Sequence, residues 1–448
     1  MTGRRGRGRG AGWLALLLAG AALGQPGDGG VSFGAPDVTP RFSERERVPV
    51  TLPLWRAPLE YNDEGHPVLA AVGPRVAGLS GQTLWARDPA SGRVLWRRGG
   101  FRPGLAASGT RVAALTRDGQ VAVVEVGGGR ELWRRKLTVS PPASLRWFGD
   151  LLAVSGVPLG GQFGQEQVLA GATGRTLLVT RPGEAVDRRL GKLLLTVNRR
   201  DASLGGEAAF SAWDTGAGAR RWTVRAASFL RREGGTLYFQ AALADPGPSW
   251  GRGTLPLLAV DAGTGRAVSR PVPLAFPELA GARGVTFGPA RMDASCLWVG
   301  AWVGDDLRVV ACHRRDGEPG GARVRLPEGG RGGGRLVWVG GPALGRLWFT
   351  DAARLVWGAR TADGSLLAFP PHGNHTELSR FDVTGGRLVV AGTDGQVLVY
   401  SADELGGATT PRALARHVTS SRRFGPSVAL GGVLLVQGEK EVLAYPAR

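Results

Sequence analysis

Ala86-Arg87-Asp88-Pro89-Ala90-Ser91-Gly92-Arg93-Val94-Leu95-Trp96 and Ala212-Trp213-Asp214-Thr215-Gly216-Ala217-Gly218-Ala219-Arg220-Arg221-Trp222 share one pattern, A-x-D-x-x-x-G-x-x-x-W, with the same spacing. Ala259, Asp261 and Gly265 repeat its first three members. The tryptophan also sits in a recurring triplet, Leu54-Trp55-Arg56, Leu95-Trp96-Arg97 and Leu132-Trp133-Arg134. A repeat at fixed period outranks any local signal, because it dictates how the whole chain is assembled.

Between the repeats the residues alternate between short apolar runs and turns. Val112-Ala113-Ala114-Leu115, Arg117-Asp118-Gly119-Gln120 and Val121–Val126 make two strands joined by an Asp-Gly hairpin, and Gly127-Gly128-Gly129 leads into a third strand at Glu131-Leu132-Trp133. Asp-Gly between apolar runs is a strong short-range hairpin signal. The grammar returns around Asp394-Gly395, around Asp363-Gly364 and from Val433 to Tyr445. Turn glycines fall at Gly92, Gly129, Gly174, Gly218, Gly265, Gly317, Gly364 and, more loosely, Gly406, at spacings of 37, 45, 44, 47, 52, 47 and 42. Units of this length made of short strands predict an all-β propeller of four-stranded antiparallel blades. No amphipathic helical run is long enough for a βαβ plan.

Each motif residue has a physical job. The Asp accepts backbone N–H groups of its own turn, the Gly takes a conformation other residues resist, and the Trp lays a flat face on the neighbouring blade. The Asp position holds Glu125, Ala170, His313 and Arg360 in other units, and the Trp position holds Leu178, Ser269, Gly321 and Ala368, so less regular turns are expected there. The final unit stops after its third strand, while Leu54-Trp55 near the other end looks like a fourth strand with nothing before it. Pairing of Leu54 and Trp55 with Val442 and Leu443 is expected to close the ring and remove two sheet edges. Nine units can be counted. Eight blades is the expectation, with one divergent unit between Arg270 and Phe369 as an insertion, and nine is the alternative.

Residues 1–24 carry Arg4, Arg5, Arg7 and Arg9, an apolar run from Trp13 to Leu23, and the small-x-small site Ala22-Leu23-Gly24. That is the layout of a secretory signal peptide, and the run is too short to span a bilayer. Residues 25–46 read as a polar Gly/Pro-rich linker, and 47–448 as a single propeller domain. An exported protein of the periplasm or cell envelope, with no transmembrane segment after cleavage, is expected. The net charge of +19 falls to +15 without the four signal arginines. Lys136, Lys192 and Lys440 are the only lysines, and the other basic residues are arginines spread through every repeat. Such dispersal argues against a nucleic-acid footprint and leaves a general attraction to acidic partners.

The A-x-D-x-x-x-G-x-x-x-W units resemble the tryptophan-docking repeat of the pyrroloquinoline-quinone-like (PQQ-like) propellers, over most of Arg75 to Tyr445. That family includes periplasmic quinoprotein dehydrogenases and non-catalytic propellers, among them the accessory propeller of the outer-membrane β-barrel assembly machinery. The resemblance implies, for the dehydrogenases, a quinone held between a Trp and a disulfide of adjacent cysteines, with Ca²⁺ on Glu, Asn and Asp and an Asp as base. This chain has no adjacent cysteine pair and no evident Ca²⁺-ligand cluster. The expectation is therefore a non-enzymatic scaffold without cofactor or metal, binding envelope proteins or acidic surface polymers. A PQQ- and Ca²⁺-dependent dehydrogenase and a cell-surface carbohydrate or polyanion binder are the alternatives.

Cys296 and Cys312 flank the turn Gly304-Asp305-Asp306 and fall opposite each other if it centres on Gly304, within disulfide reach. The alternative is two buried thiols. His372-x-x-His375 lies among Pro and Gly, and the run from Gly329 to Arg335 lacks the strand before and helix after that a phosphate cradle requires. Both read as surface loops.

Overall fold

The computed structural model describes residues 32–34, 48, 50–59, 68–139, 142–158, 161, 163–198, 207–241, 252–314, 319–326, 336–351, 356–369, 378–407 and 411–447. They form nine antiparallel sheets. The signal segment lies outside the described residues, as do His66, His372, His375 and the Gly329–Arg335 run.

The first blade, Leu69–Val72, Arg75–Ser80, Thr83–Arg87 and Val94–Gly99, sets the plan: four strands in chain order, each beside its predecessor. Blades two to five begin at Phe101–Ser108, Pro142–Phe148, Glu184–Leu190 and Ser228–Glu233. Blades six to eight begin at Val285–Met292, Val337–Ala343 and Leu378–Thr384. The first strands of blades nine, one, two and three, and those of blades five and six, lie against one another, which places the first strands at the hub. Within the stretch read as linker, Ser32–Gly34 adds a fifth strand to the hub edge of blade eight, with Phe33 opposite Phe381.

The expectation of eight blades is corrected to nine. The divergent units between Arg270 and Phe369 are not insertions; they build blades six and seven with four strands each. They lack the docking Trp, but Trp298, Trp338, Leu347 and Phe349 fill the seam between them. The expectation of a hydrogen-bonded ring closure is corrected as well. Every blade is an open sheet and none is closed by hydrogen bonds. In blade nine, Trp55–Pro58 lies antiparallel to Glu441–Pro446, with Trp55 opposite Ala444 and Ala57 opposite Val442, next to Val433–Gln437 and Val428–Leu430. The wheel is held by packing between sheets, because strands of adjacent blades stand face to face and cannot share a ladder.

That packing is visible seam by seam. Separate apolar clusters occupy the joints between successive blades, and one larger cluster joins Val433, Leu435 and Val442 of blade nine to Leu69 and Leu84 of blade one and Phe101 of blade two. Backbone bonds supplement the joint between blades eight and nine: Phe424, Ser427 and Ala429 N–H donate to Ser379 Oγ, Asp382 Oδ2 and Thr384 Oγ1.

The motif residues act across these joints. Trp96 Nε1–H donates to Val126 O at 2.8 Å and Trp133 Nε1–H to Gly171 O at 2.9 Å, each in the next blade. Trp222 donates to Ala262 O at 3.0 Å and Trp55 to Pro89 O at 2.7 Å. Beneath each indole is the next turn's glycine: a Cβ on Gly129 would stand 2.7 Å from Trp96, and one on Gly92 2.5 Å from Trp55. Gly174 faces Trp133 and Gly265 faces Trp222 in the same way. Asp88 Oδ1 accepts Ser91 N–H and Oγ–H, Asp214 accepts Gly216 and Ala217 N–H, and Asp261 accepts Thr264 N–H and Oγ1–H. Ala86, Ala212 and Ala259 are buried.

The described turns that lack the Asp keep the same backbone, and Gly317 of the His313 unit lies outside the described residues. Gly174 and Gly364 N–H donate to Ala170 and Arg360 O, as Gly92 does to Asp88 O. Their φ angles, +68° and +74°, match the +69° of Gly92. The expectation of irregular turns is thus corrected at Glu125, Ala170 and Arg360: the left-handed glycine fixes the turn and the Asp adds to it. Gly406 is different, since it lies in a short helix, Ala402–Gly407.

Candidate functional site

The framework repeats, but the hub does not. Counting from the first hairpin of each blade, the third residue of the first strand faces the third residue of the second in eight blades, and in blade seven a bulge puts Gly340, the fourth residue, in that place. In blades one and two these pairs are Ala70 with Ala77 and Ala106 with Ala113. In blades three, four and five they are Arg146 with Ala153, Arg188 with Leu195 and Arg231 with Tyr238. In blades six to nine they are Ala290 with Val299, Gly340 with Trp348, Asp382 with Val389 and Val428 with Leu435. Three arginines therefore occupy one register on three consecutive blades, and the other positions are small or apolar apart from Asp382. That acid accepts Arg380 Nε–H at 2.9 Å and Ser427 N–H at 2.8 Å.

The three arginines are held differently. Arg146 Nη2 bonds Glu166 Oε1 at 2.5 Å and Val186 O at 2.9 Å, tying blade three to blade four. Glu166 is buried, and its second oxygen accepts Val186 N–H at 2.7 Å. Arg188 bonds Asp187 Oδ2 through Nε at 2.5 Å and lies over the Phe229 ring of blade five at 4.2 Å. Arg231 pairs with Glu233 through Nε at 3.2 Å. About a third of each of these three side chains is exposed, 32%, 33% and 33%. A guanidinium anchored through Nε and stacked on a ring presents its two terminal nitrogens as a fixed two-donor edge.

Cys296 and Cys312 form a disulfide with a Cα–Cα distance of 5.2 Å. Their register differs from direct opposition: Cys312 faces Trp298, because an irregularity at Ala301/Trp302 shifts the pairing. Cys296 precedes its strand in a turn where Asp293 Oδ1 accepts Ser295 and Cys296 N–H. His313, at the Asp position of its unit, is fully buried beside Phe276. Burial lowers its pKa to about 4. Leu54, named for ring closure, is largely exposed but donates its N–H to Ala444 O at 2.7 Å, while Val442 and Leu443 are buried.

Among the described residues no group of three or more His, Cys, Asp or Glu side chains is arranged to hold a metal ion. No described helix is long and apolar enough to cross a membrane. Sequence reasoning missed the hub arginines. Their signal was the spacing to a different glycine: each stands three residues before the glycine of its blade's first hairpin, Gly149, Gly191 and Gly234, and not at a fixed distance from the docking-turn glycines.

No protein-family model matches the chain, and no curated protein matches it in sequence. Among solved structures it is similar to BamB from Moraxella catarrhalis, at 14% identity and a TM-score of 0.43, over 89% of this chain and 100% of that one. It is similar to the computationally designed Ika8 protein, at 13% identity and a TM-score of 0.44, over 87% of this chain and 98% of that one. It is also similar to quinohemoprotein alcohol dehydrogenase from Comamonas testosteroni, at 10% identity and a TM-score of 0.44, over 90% of this chain and 77% of that one. The likeness is one of fold.

Proposed function

We propose that this protein is an exported, non-enzymatic propeller that serves as a binding scaffold in the cell envelope, engaging a protein partner at the hub of blades three to five. The observation that carries the reading is the row Arg146, Arg188 and Arg231 at one register on adjacent blades, against small residues at most of the other six positions. A repeating framework with one non-repeating arc concentrates recognition there, and residues at the ends of rigid elements bind with little ordering cost. The signal-like first segment and the resemblance to PQQ-like repeats, whose family has a non-catalytic envelope branch, support the same reading.

The test is retention of a defined envelope protein by the purified, immobilised chain, compared between wild type and a charge-reversed R188E/R231E variant. R266E, on an exposed turn of blade five, serves as the control. Binding retained by R266E and lost in R188E/R231E supports the scaffold reading. Equal capture by all three, or none by any, overturns it. Dye reduction on adding PQQ and Ca²⁺ would do so as well.

A further inference from the structure

We infer that the Arg188–Arg231 arc is a carboxylate-binding site, and that its ligand is an extended acidic polypeptide segment rather than a continuous polyanion. This rests on the scaffold reading above and names the chemistry of its partner.

Arg188 makes its ion pair through Nε and stacks on Phe229. Arg231 also pairs through Nε. The terminal nitrogens of both have no hydrogen-bond partner among the described residues, and both side chains are one-third exposed. Each arginine therefore offers a planar pair of N–H donors, the arrangement that matches the two oxygens of a carboxylate. Arg146 differs, because its Nη2 is committed to Glu166 and to the Val186 carbonyl. It braces the joint between blades three and four and is not assigned to the ligand.

Asp187 and Glu233 sit beside Arg188 and Arg231, so these two ion pairs are neutral in sum. A polyphosphate or sulfated glycan, with charges every few ångströms, would meet those acids between its contacts with the arginines. Discrete carboxylates along a peptide can place one group on each fork and leave uncharged backbone between them. The two forks belong to adjacent blades, so the segment lies across the joint between blades four and five. Binding therefore weakens with salt, as for any partly exposed ion pair, while the preference for a fork over a point charge persists.

The experiment measures binding of fluorescent octaglutamate to the full-length protein by anisotropy, at low and high salt, with polyphosphate of matched charge as a second probe. The expected result is saturable peptide binding that weakens about tenfold in R188Q/R231Q, the scale of lost charge-assisted hydrogen bonds. R188K/R231K, which keeps the charge but not the fork, should lose a similar factor, whereas R266Q should bind as wild type does. No saturable peptide binding, unchanged binding in R188Q/R231Q, full retention by the lysine variant, or a preference for polyphosphate would each overturn the inference. Thermal melts of all variants establish that they are folded. If the envelope partner binds while octaglutamate does not, this inference fails and the scaffold reading stands. If octaglutamate binds through the forks but no envelope partner is retained, the scaffold reading fails alone.

Discussion

Trp96 of the first blade covers Gly129 of the second, with its indole N–H on the Val126 carbonyl at 2.8 Å. The glycine is doubly required, by its φ of +73° and by the ring above it. Gly119, in the same blade, has φ +76° but open space around its Cβ position. Gly119→Ala should therefore cost only the left-handed backbone term, about 1–2 kcal/mol. Gly129→Ala should cost more, roughly 3 kcal/mol, because the methyl displaces the indole. Denaturant titration of the two variants isolates the docking contribution, and equal losses would refute it.

Replacing both cysteines by alanine should lower stability by about 3 kcal/mol or less, the chain-entropy value for a loop of this size. The two are sixteen residues apart and the bond lies within one blade. Blade six should respond first. Hydrogen exchange should therefore rise in Leu297–Val303 and Asp306–His313 before it rises in blades one to four.

Acidification should destabilise the fold well above the range of most carboxylates. Burial holds His313 and His417 at a pKa of about 4, below the ordinary 6.5. Between those values the unfolded chain binds the proton and the folded chain does not. Stability is therefore fully present above about pH 6.5 and is lost as pH falls towards 4, by a few kcal/mol per histidine. His417 stacks on Tyr445 at 3.5 Å, and burial likewise pushes the Tyr445 hydroxyl up to about 12. His417→Phe keeps a ring on Tyr445 and should flatten part of the fall, measured as urea midpoints across this window.

Arg346 is fully buried, with Nε–H on Leu405 O at 2.8 Å and Nη1–H on Gly358 O at 3.0 Å. Desolvation lowers its pKa to about 10, so it remains charged at neutral pH. Arg346→Met fills the space but strands the two carbonyls, at a cost of about 2–4 kcal/mol. Because Leu405 belongs to the helix Ala402–Gly407, exchange in that helix should accelerate beyond the global loss. Unchanged helix protection would show that the bond does not fasten it.

Much of the wheel was legible in the sequence. Asp118-Gly119 and Asp394-Gly395 do join strands of one sheet, and Gly92, Gly129, Gly174, Gly218, Gly265 and Gly364 all take positive φ. The blade count was not legible between Arg270 and Phe369, where Trp298, Trp338 and Phe349 pack the joint from positions outside the motif. Turn regularity was misjudged at Ala170 and Arg360 because the backbone bond to the glycine N–H does not need the Asp. The hub arc was hidden for a further reason. Arg146, Arg188 and Arg231 each stand three residues before the glycine of their blade's first hairpin, Gly149, Gly191 and Gly234, but that hairpin lies outside the A-x-D-x-x-x-G-x-x-x-W unit from which the repeat was read.

Blade nine takes its outer strand from Trp55–Pro58 and its other three from Val428 onward. A chain emerging from its N-terminus must hold Trp55 in waiting until nearly all of the remaining residues have appeared. The slowest loop to close is therefore the longest one available, and a chain cut short before Glu441 would present blade one with an indole that has no sheet to carry it.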